Sequence, residues 1–155
     1  MNVAVEFRAL AQHEIDSLLP LMRDFYSFEK IAWDEARTRR LLAQLISDPK
    51  LGRIIIFERD DQLLGYLLLT FGFSLEFHGR DALIDEFYVL PEHRSSGIGK
   101  RALDYAIDIA RQQGVSAFHL EADHFNQRAH DFYLRLGFKD HQRHLMTKWL
   151  KQTSG

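Results

Sequence analysis

The segment Ile84-Asp85-Glu86-Phe87-Tyr88-Val89-Leu90-Pro91-Glu92-His93-Arg94-Ser95-Ser96-Gly97-Ile98-Gly99-Lys100-Arg101-Ala102 joins three kinds of local structure in one run. Ala82 to Leu90 reads as a strand closed by Pro91, and a glycine-containing turn follows. Leu103, Ala106, Ile107 and Ala110 then line one face of a helix that Gly114 stops. The free N–H groups at such a helix start point outward, and the helix dipole favours an anion there. Gly97 and Gly99 carry no Cβ, so a phosphate can come close to the backbone, with Arg94 and Lys100 adding charge. Read blandly, the glycines only ease a tight turn; the flanking strand, helix and cations weigh against that.

On the N-terminal side, Val3 to Arg8 alternates as a first strand. Ile15, Leu18, Leu19 and Met22 give the apolar face of a helix reaching about Phe28. The aromatic-rich Phe25–Trp33 breaks that period, and a second helix begins near Asp34 and ends at Asp48-Pro49. Gly52 to Arg59 and Leu63 to Phe73 form a hairpin about Asp60-Asp61, followed by a loop from Ser74 to Arg80. On the C-terminal side come a strand over Ala117–Ala122 and a helix over Asn126–Leu136 stopped by Gly137. Two short strands are expected from Phe138 to Leu150, around a turn near Asp140–Arg143. The order βααβββαβαββ, with its hairpins, predicts an α/β fold: a mixed, largely antiparallel central sheet flanked by helices.

The 155 residues suit a single domain, 1–155, and no linker, repeat or low-complexity tract divides them. Twenty Lys+Arg against 22 Asp+Glu leave a net charge of −2, which offers no support for nucleic-acid binding. Glu6 and Arg8 fall where a signal peptide needs its apolar run, and Leu63–Leu75 is too short to span a membrane. A cytoplasmic protein that engages no membrane is expected. The absence of cysteine excludes disulfides, thiolate metal sites and a Cys nucleophile. The eight histidines show no ligand spacing, and His141-Gln142-Arg143-His144 lies in an expected turn, so no metal is assigned.

Three phosphate-binding patterns compete for the glycine turn. A P-loop would need glycine at Arg94 and Ser or Thr at Arg101. Gly97-Ile98-Gly99-Lys100-Arg101-Ala102 fits a dinucleotide-binding G-x-G-x-x-A, with Glu121 near the end of the next strand. There, however, the strand should run straight into the first glycine, and here Pro91 to Ser96 intervene. The third pattern, [RQ]-x-x-G-x-[GA], uses Arg94-Ser95-Ser96-Gly97-Ile98-Gly99, five residues beyond Val89. It resembles the acetyl-CoA pyrophosphate loop of the GNAT superfamily of N-acetyltransferases. Asn126-Gln127-Arg128-Ala129-His130-Asp131-Phe132-Tyr133-Leu134-Arg135-Leu136-Gly137-Phe138 resembles that family's second motif, N-x-x-A-x-x-F-Y-x-x-x-G-F. Element order extends the resemblance from about Val3 to Leu150, and Ala82–Phe138 is most similar to the diamine or thialysine acetyltransferase branch.

The resemblance implies a GNAT fold that moves acetyl from acetyl-CoA directly to a primary amine of a small molecule. A protein lysine or N-terminal acceptor, or a non-catalytic acyl-CoA-binding module, is the alternative. It implies that backbone N–H groups of Arg94, Ser95, Ser96, Gly97, Ile98, Gly99 and Lys100 hold the pyrophosphate. Phe87, Tyr88 and Val89 would pair with the pantetheine arm, and an N–H near Val89 would polarise the thioester. An alkyl amine, with a pKa of about 10.4, must lose a proton to attack. Asp85 and Glu86 are the candidate bases; as strand neighbours they should face opposite ways, and the family's usual placement favours Asp85. Tyr133 matches the general acid for the departing thiolate, although it also lies on a core stripe with Ala129, Phe132 and Leu136. Asn126 is placed near the cofactor and also suits a helix N-cap. Tyr26, Glu29 and Trp33, with Glu76 and His78 as further candidates, would bind a cationic acceptor. A homodimer, paired through Phe138–Leu150, completes the expectation.

Overall fold

The computed structural model describes residues 4–151, in two compact units, Met1–Glu121 and Ala122–Gly155. The first unit is a five-stranded sheet in the order β1-β2-β3-β4-β5, with β1 Glu6–Ala9, β2 Gly52–Arg59, β3 Gln62–Ser74, β4 Gly79–Val89 and β5 Ala117–Leu120. The first four strands pair antiparallel. β4 and β5 are parallel, because a helix, α3 (Ile98–Gln112), carries the chain back between them. The sheet is thus mixed and largely antiparallel, as the element order implied. β1 begins later than the alternation suggested, and Val3 lies outside the described residues.

Two helices, α1 (Ile15–Phe28) and α2 (Glu35–Ser47), cover one face of the sheet. Leu18, Leu19 and Met22 of α1 and Leu42 of α2 meet Ile54, Ile56, Tyr66, Leu68 and Tyr88 there. α3 covers the other face: Tyr105 stacks on Phe7, and a Cβ on Gly99 would stand 3.8 Å from the Phe87 ring. The β2–β3 turn has positive φ at both Asp60 and Asp61, the backbone of a tight type I′ hairpin.

The register of β3 with β4 matters most for the site. Leu69 faces Ile84 and Leu68 faces Glu86, so Asp85 is an extra residue, a β-bulge in the middle of β4. On its other side, β4 is paired with β5 only over Asp81–Ile84. From Asp85 to Val89, no strand among the described residues of this unit flanks that edge.

The second unit carries α4 (Gln127–Arg135). Asn126 caps it, accepting the Ala129 N–H at 3.1 Å, and Gly137 ends it at φ 95°. The two strands expected between Phe138 and Leu150 are not formed within this unit. Instead Asp140 accepts the Gln142 N–H at 2.7 Å and meets His130 Nε2 at 2.9 Å, and Gln142 takes φ 54°. The expected turn is therefore present within this unit. Among the described residues no helix is long and apolar enough to cross a membrane, and no group of three or more His, Asp or Glu is placed to hold a metal.

Candidate active site

The turn after β4 is built from a short 3-10 segment, Pro91–His93, a left-handed Ser95 at φ 64°, and a left-handed Gly97 at φ 83° that opens α3. No side chain caps α3, and no acidic residue stands in its first turn. Its first N–H groups are therefore available to an anion. A Cβ on Gly97 would meet no atom within 4 Å, which marks open space beside those groups. Lys100 lies in this first turn, 3.0 Å from Asp104. Arg94 has a more local task than the sequence suggested. Its Nε donates to the Val89 carbonyl at 2.8 Å, and its guanidinium lies over the rings of Tyr88 (5.4 Å) and Phe28 (5.8 Å). Arg94 thus ties the loop to the end of β4. Ser96 closes the turn by donating to the His93 carbonyl at 2.6 Å.

The loop and the unflanked edge of Phe87, Tyr88 and Val89 are contiguous, and together they fit an acyl-CoA. The helix start suits its phosphates, and the open strand edge suits an extended amide-bearing arm.

The carboxylates depart from simple strand alternation. The bulge at Asp85 interrupts the two-residue period, and Glu86 comes to lie on the α1–α2 face with Tyr66 and Tyr88. Glu86 Oε2 accepts the Tyr26 hydroxyl and Oε1 accepts the Tyr66 hydroxyl, each at 2.8 Å. Glu86 makes the contact with the Tyr26 hydroxyl, and both carboxyls raise its pKa through their charge. Burial pushes the Glu86 carboxyl up, and the two hydroxyls pull it partly back. Asp85 is open to solvent along its residue surface, yet the protein atoms crowded round its carboxyl push it up as well.

Tyr26 and Trp33 come together because the chain reverses after α1. Lys30 adopts φ 59°, Ile31 N–H donates to the Tyr26 carbonyl at 2.8 Å, and Asp34 starts α2 by accepting the Arg37 N–H. This returns Trp33 edge-on to the Tyr26 ring at 5.3 Å, with its indole N–H buried and given no protein partner. Glu29 is the C-cap residue of α1, beside this reversal. Glu76 and His78 stand apart, in the turn at the far end of the β3–β4 hairpin. Eight residues separate His78 from Glu86, roughly 25 Å of strand at about 3.3 Å per residue. Asn126 and Tyr133 belong to the second unit. There, Tyr133 lies edge-on to Phe138 at 5.8 Å, and burial raises its hydroxyl pKa. Tyr66 is the site residue that the sequence reading missed. Its one signal was a phenol within an otherwise apolar strand, where the buried hydroxyl must find a partner.

An uncapped helix start beside a bulged strand that no strand of its own unit flanks gives an α/β protein with room for an anionic, amide-bearing ligand. The sequence profile of the acetyltransferase (GNAT) family matches residues 15–138, across both units, and the chain belongs to that family as an N-acetyltransferase. Thialysine N-epsilon-acetyltransferase of Bos taurus is 26% identical over 152 residues, covering 88% of this chain and 85% of that protein. Aminoalkylphosphonate N-acetyltransferase of Salmonella typhimurium is 35% identical over 81 residues, 52% of this chain and 53% of the relative. Among solved structures, an integron cassette protein from the mobile metagenome of Cole Harbour Salt Marsh superposes with a TM-score of 0.82. It is 29% identical and covers 95% of this chain and 91% of its own.

Proposed function

We propose that this N-acetyltransferase passes acetyl from acetyl-CoA directly to a primary amine of a small, cationic molecule. The observation that carries this reading is the half-buried, doubly hydrogen-bonded Glu86 carboxylate on β4, the strand whose end, unflanked within its unit, runs into the uncapped start of α3. A carboxylate held there by two hydroxyls suits an acceptor that arrives as an ammonium ion. The names of the relatives that act on thialysine and aminoalkylphosphonate support an amine of that size.

In this reading the N–H groups from Arg94 to Lys100 take the pyrophosphate, and Phe87 to Val89 pair with the pantetheine. Asp85 takes the amine's proton, Glu86 holds the acceptor, and Tyr133 protonates the departing thiolate. Tyr26, Glu29 and Trp33 form the acceptor's wall, Asn126 caps α4 near the cofactor, and Glu76 and His78 are reached only by a long acceptor. With no cysteine in the chain, the simplest route is attack by the amine within a ternary complex. The same reading treats residues 1–155 as one catalytic domain, homodimeric and cytoplasmic.

The test is CoA thiol release from acetyl-CoA with thialysine and a panel of other amines. Turnover with small amines supports the proposal. Turnover confined to protein lysines or N-termini would redirect it, and tight acetyl-CoA binding without any turnover would leave a binding module.

A further inference from the structure

Glu86 is held at both of its oxygens. Tyr26, from the last turn of α1, donates to Oε2, and Tyr66, from β3, donates to Oε1. Two donors on different oxygens fix the rotation of the carboxylate as well as its position. Neither donor can swing away easily. Tyr66 is 0% exposed and stands perpendicular to Phe25 at 6.2 Å, while Trp33 braces Tyr26 from the side. Burial and the adjacent Glu86 push both phenols well above the ordinary tyrosine range, so both keep their protons wherever the enzyme works. A protonated glutamate would accept from one phenol and donate to the other, whereas the ionised form accepts from both. Asp85 has no such clamp, since no side-chain hydroxyl among the described residues reaches it.

We propose that Tyr26 and Tyr66 are positioning residues for the acetyl transfer, clamping Glu86 as a fixed carboxylate that seats the ammonium end of the acceptor and leaving Asp85 free to take the proton. This rests on the acetyl-transfer reading above. Because Tyr26 is packed against Trp33, the clamp also links the α1–α2 connection to the strand, so that the acceptor's wall and its counter-charge form as one piece.

Two measurements test it. The first needs no substrate: the protein is labelled with carboxyl-13C glutamate, Glu86 is assigned with Glu86→Gln, and its signal is titrated by NMR. Tyr26→Phe and Tyr66→Phe should each move the Glu86 midpoint upward, because each removes a donor that favours the anion. Unmoved midpoints in folded variants would overturn the clamp, and Tyr26→Phe keeps the test open should Tyr66→Phe fail to fold. The second uses thialysine as the probe amine with saturating acetyl-CoA. Tyr26→Phe should lower kcat/KM for thialysine about tenfold on the acid side, regain most of it at higher pH, and leave the acetyl-CoA KM unchanged. A loss equal at every pH would overturn the positioning role. A wild-type protein inactive on every amine, yet showing the NMR shifts, would sink the transfer reading and the catalytic role of the clamp with it.

Discussion

Gly97 takes φ 83°, and a Cβ placed on it would touch nothing within 4 Å. Its glycine is therefore required by backbone conformation, not by crowding. Gly97→Ala should cost about 1 kcal/mol of strain without a clash, whereas Gly97→Glu adds a negative charge where the helix start favours an anion. A CoA titration should show Gly97→Glu binding about tenfold weaker; unchanged affinity in a folded variant would remove this turn from the cofactor site. Tyr133→Phe should lower kcat about 100-fold with little change in acetyl-CoA affinity, read by steady-state kinetics beside direct titration. Equal turnover would reduce Tyr133 to packing. These residues were legible in the sequence because motif spacing marks them. Tyr66 was not, since a phenol inside Leu63–Leu69 looks like core until its partner Glu86 is seen across the sheet.

At the scale of elements, most helices and strands follow from period, caps and turn residues. Asp34 begins α2, Asp60-Asp61 turns the β2–β3 hairpin, and Gly114 at φ 75° stops α3. The bulge at Asp85 had no such mark. Its residues resemble any strand, and only the pairing of β3 with β4 shows that one is extra. That extra residue decides which acid faces Tyr26. The C-terminal strands are not formed within the second unit, and a strand depends on a neighbour that local sequence does not name.

Two ion pairs give pH-dependent tests. Arg8 binds Glu14 at 2.6 Å and holds its carboxyl down at about 2, against an ordinary 4.5, pinning β1 to the turn before α1. Because the folded pKa is depressed, this contribution is full above about 4.5 and lost as pH falls toward about 2. The difference in urea midpoint between the wild type and Glu14→Gln should therefore shrink across that range; a difference unchanged at the acid end would contradict the pairing. Asp140 raises His130 above its ordinary 6.5 within the second unit. A raised pKa reverses the sign: the contact stabilises fully below 6.5 and is lost as pH rises through the folded value. NMR should find the His130 imidazole titrating above 6.5, and nearer to it in Asp140→Asn.

Across the whole molecule, the element order carried the fold, and the two motifs in sequence order carried the family, whose match over residues 15–138 spans both units. Composition contributed one lasting constraint. A chain with no cysteine has no thiol on which to carry the acetyl group, so in the proposed transfer the sulfur in play belongs to CoA. In the proposed reading the site is acidic where the acceptor would enter and amide-rich where the cofactor's phosphates would dock, which suits a cationic amine meeting an anionic donor. The most direct measurement incubates the protein with acetyl-CoA and thialysine, follows free CoA thiol and N-acetyl product together, and weighs the intact protein by mass spectrometry. One product per thiol, with the protein's mass unchanged, is expected. Thiol release that no amine accelerates, or an acetyl group retained on the chain, would contradict direct transfer to a small amine.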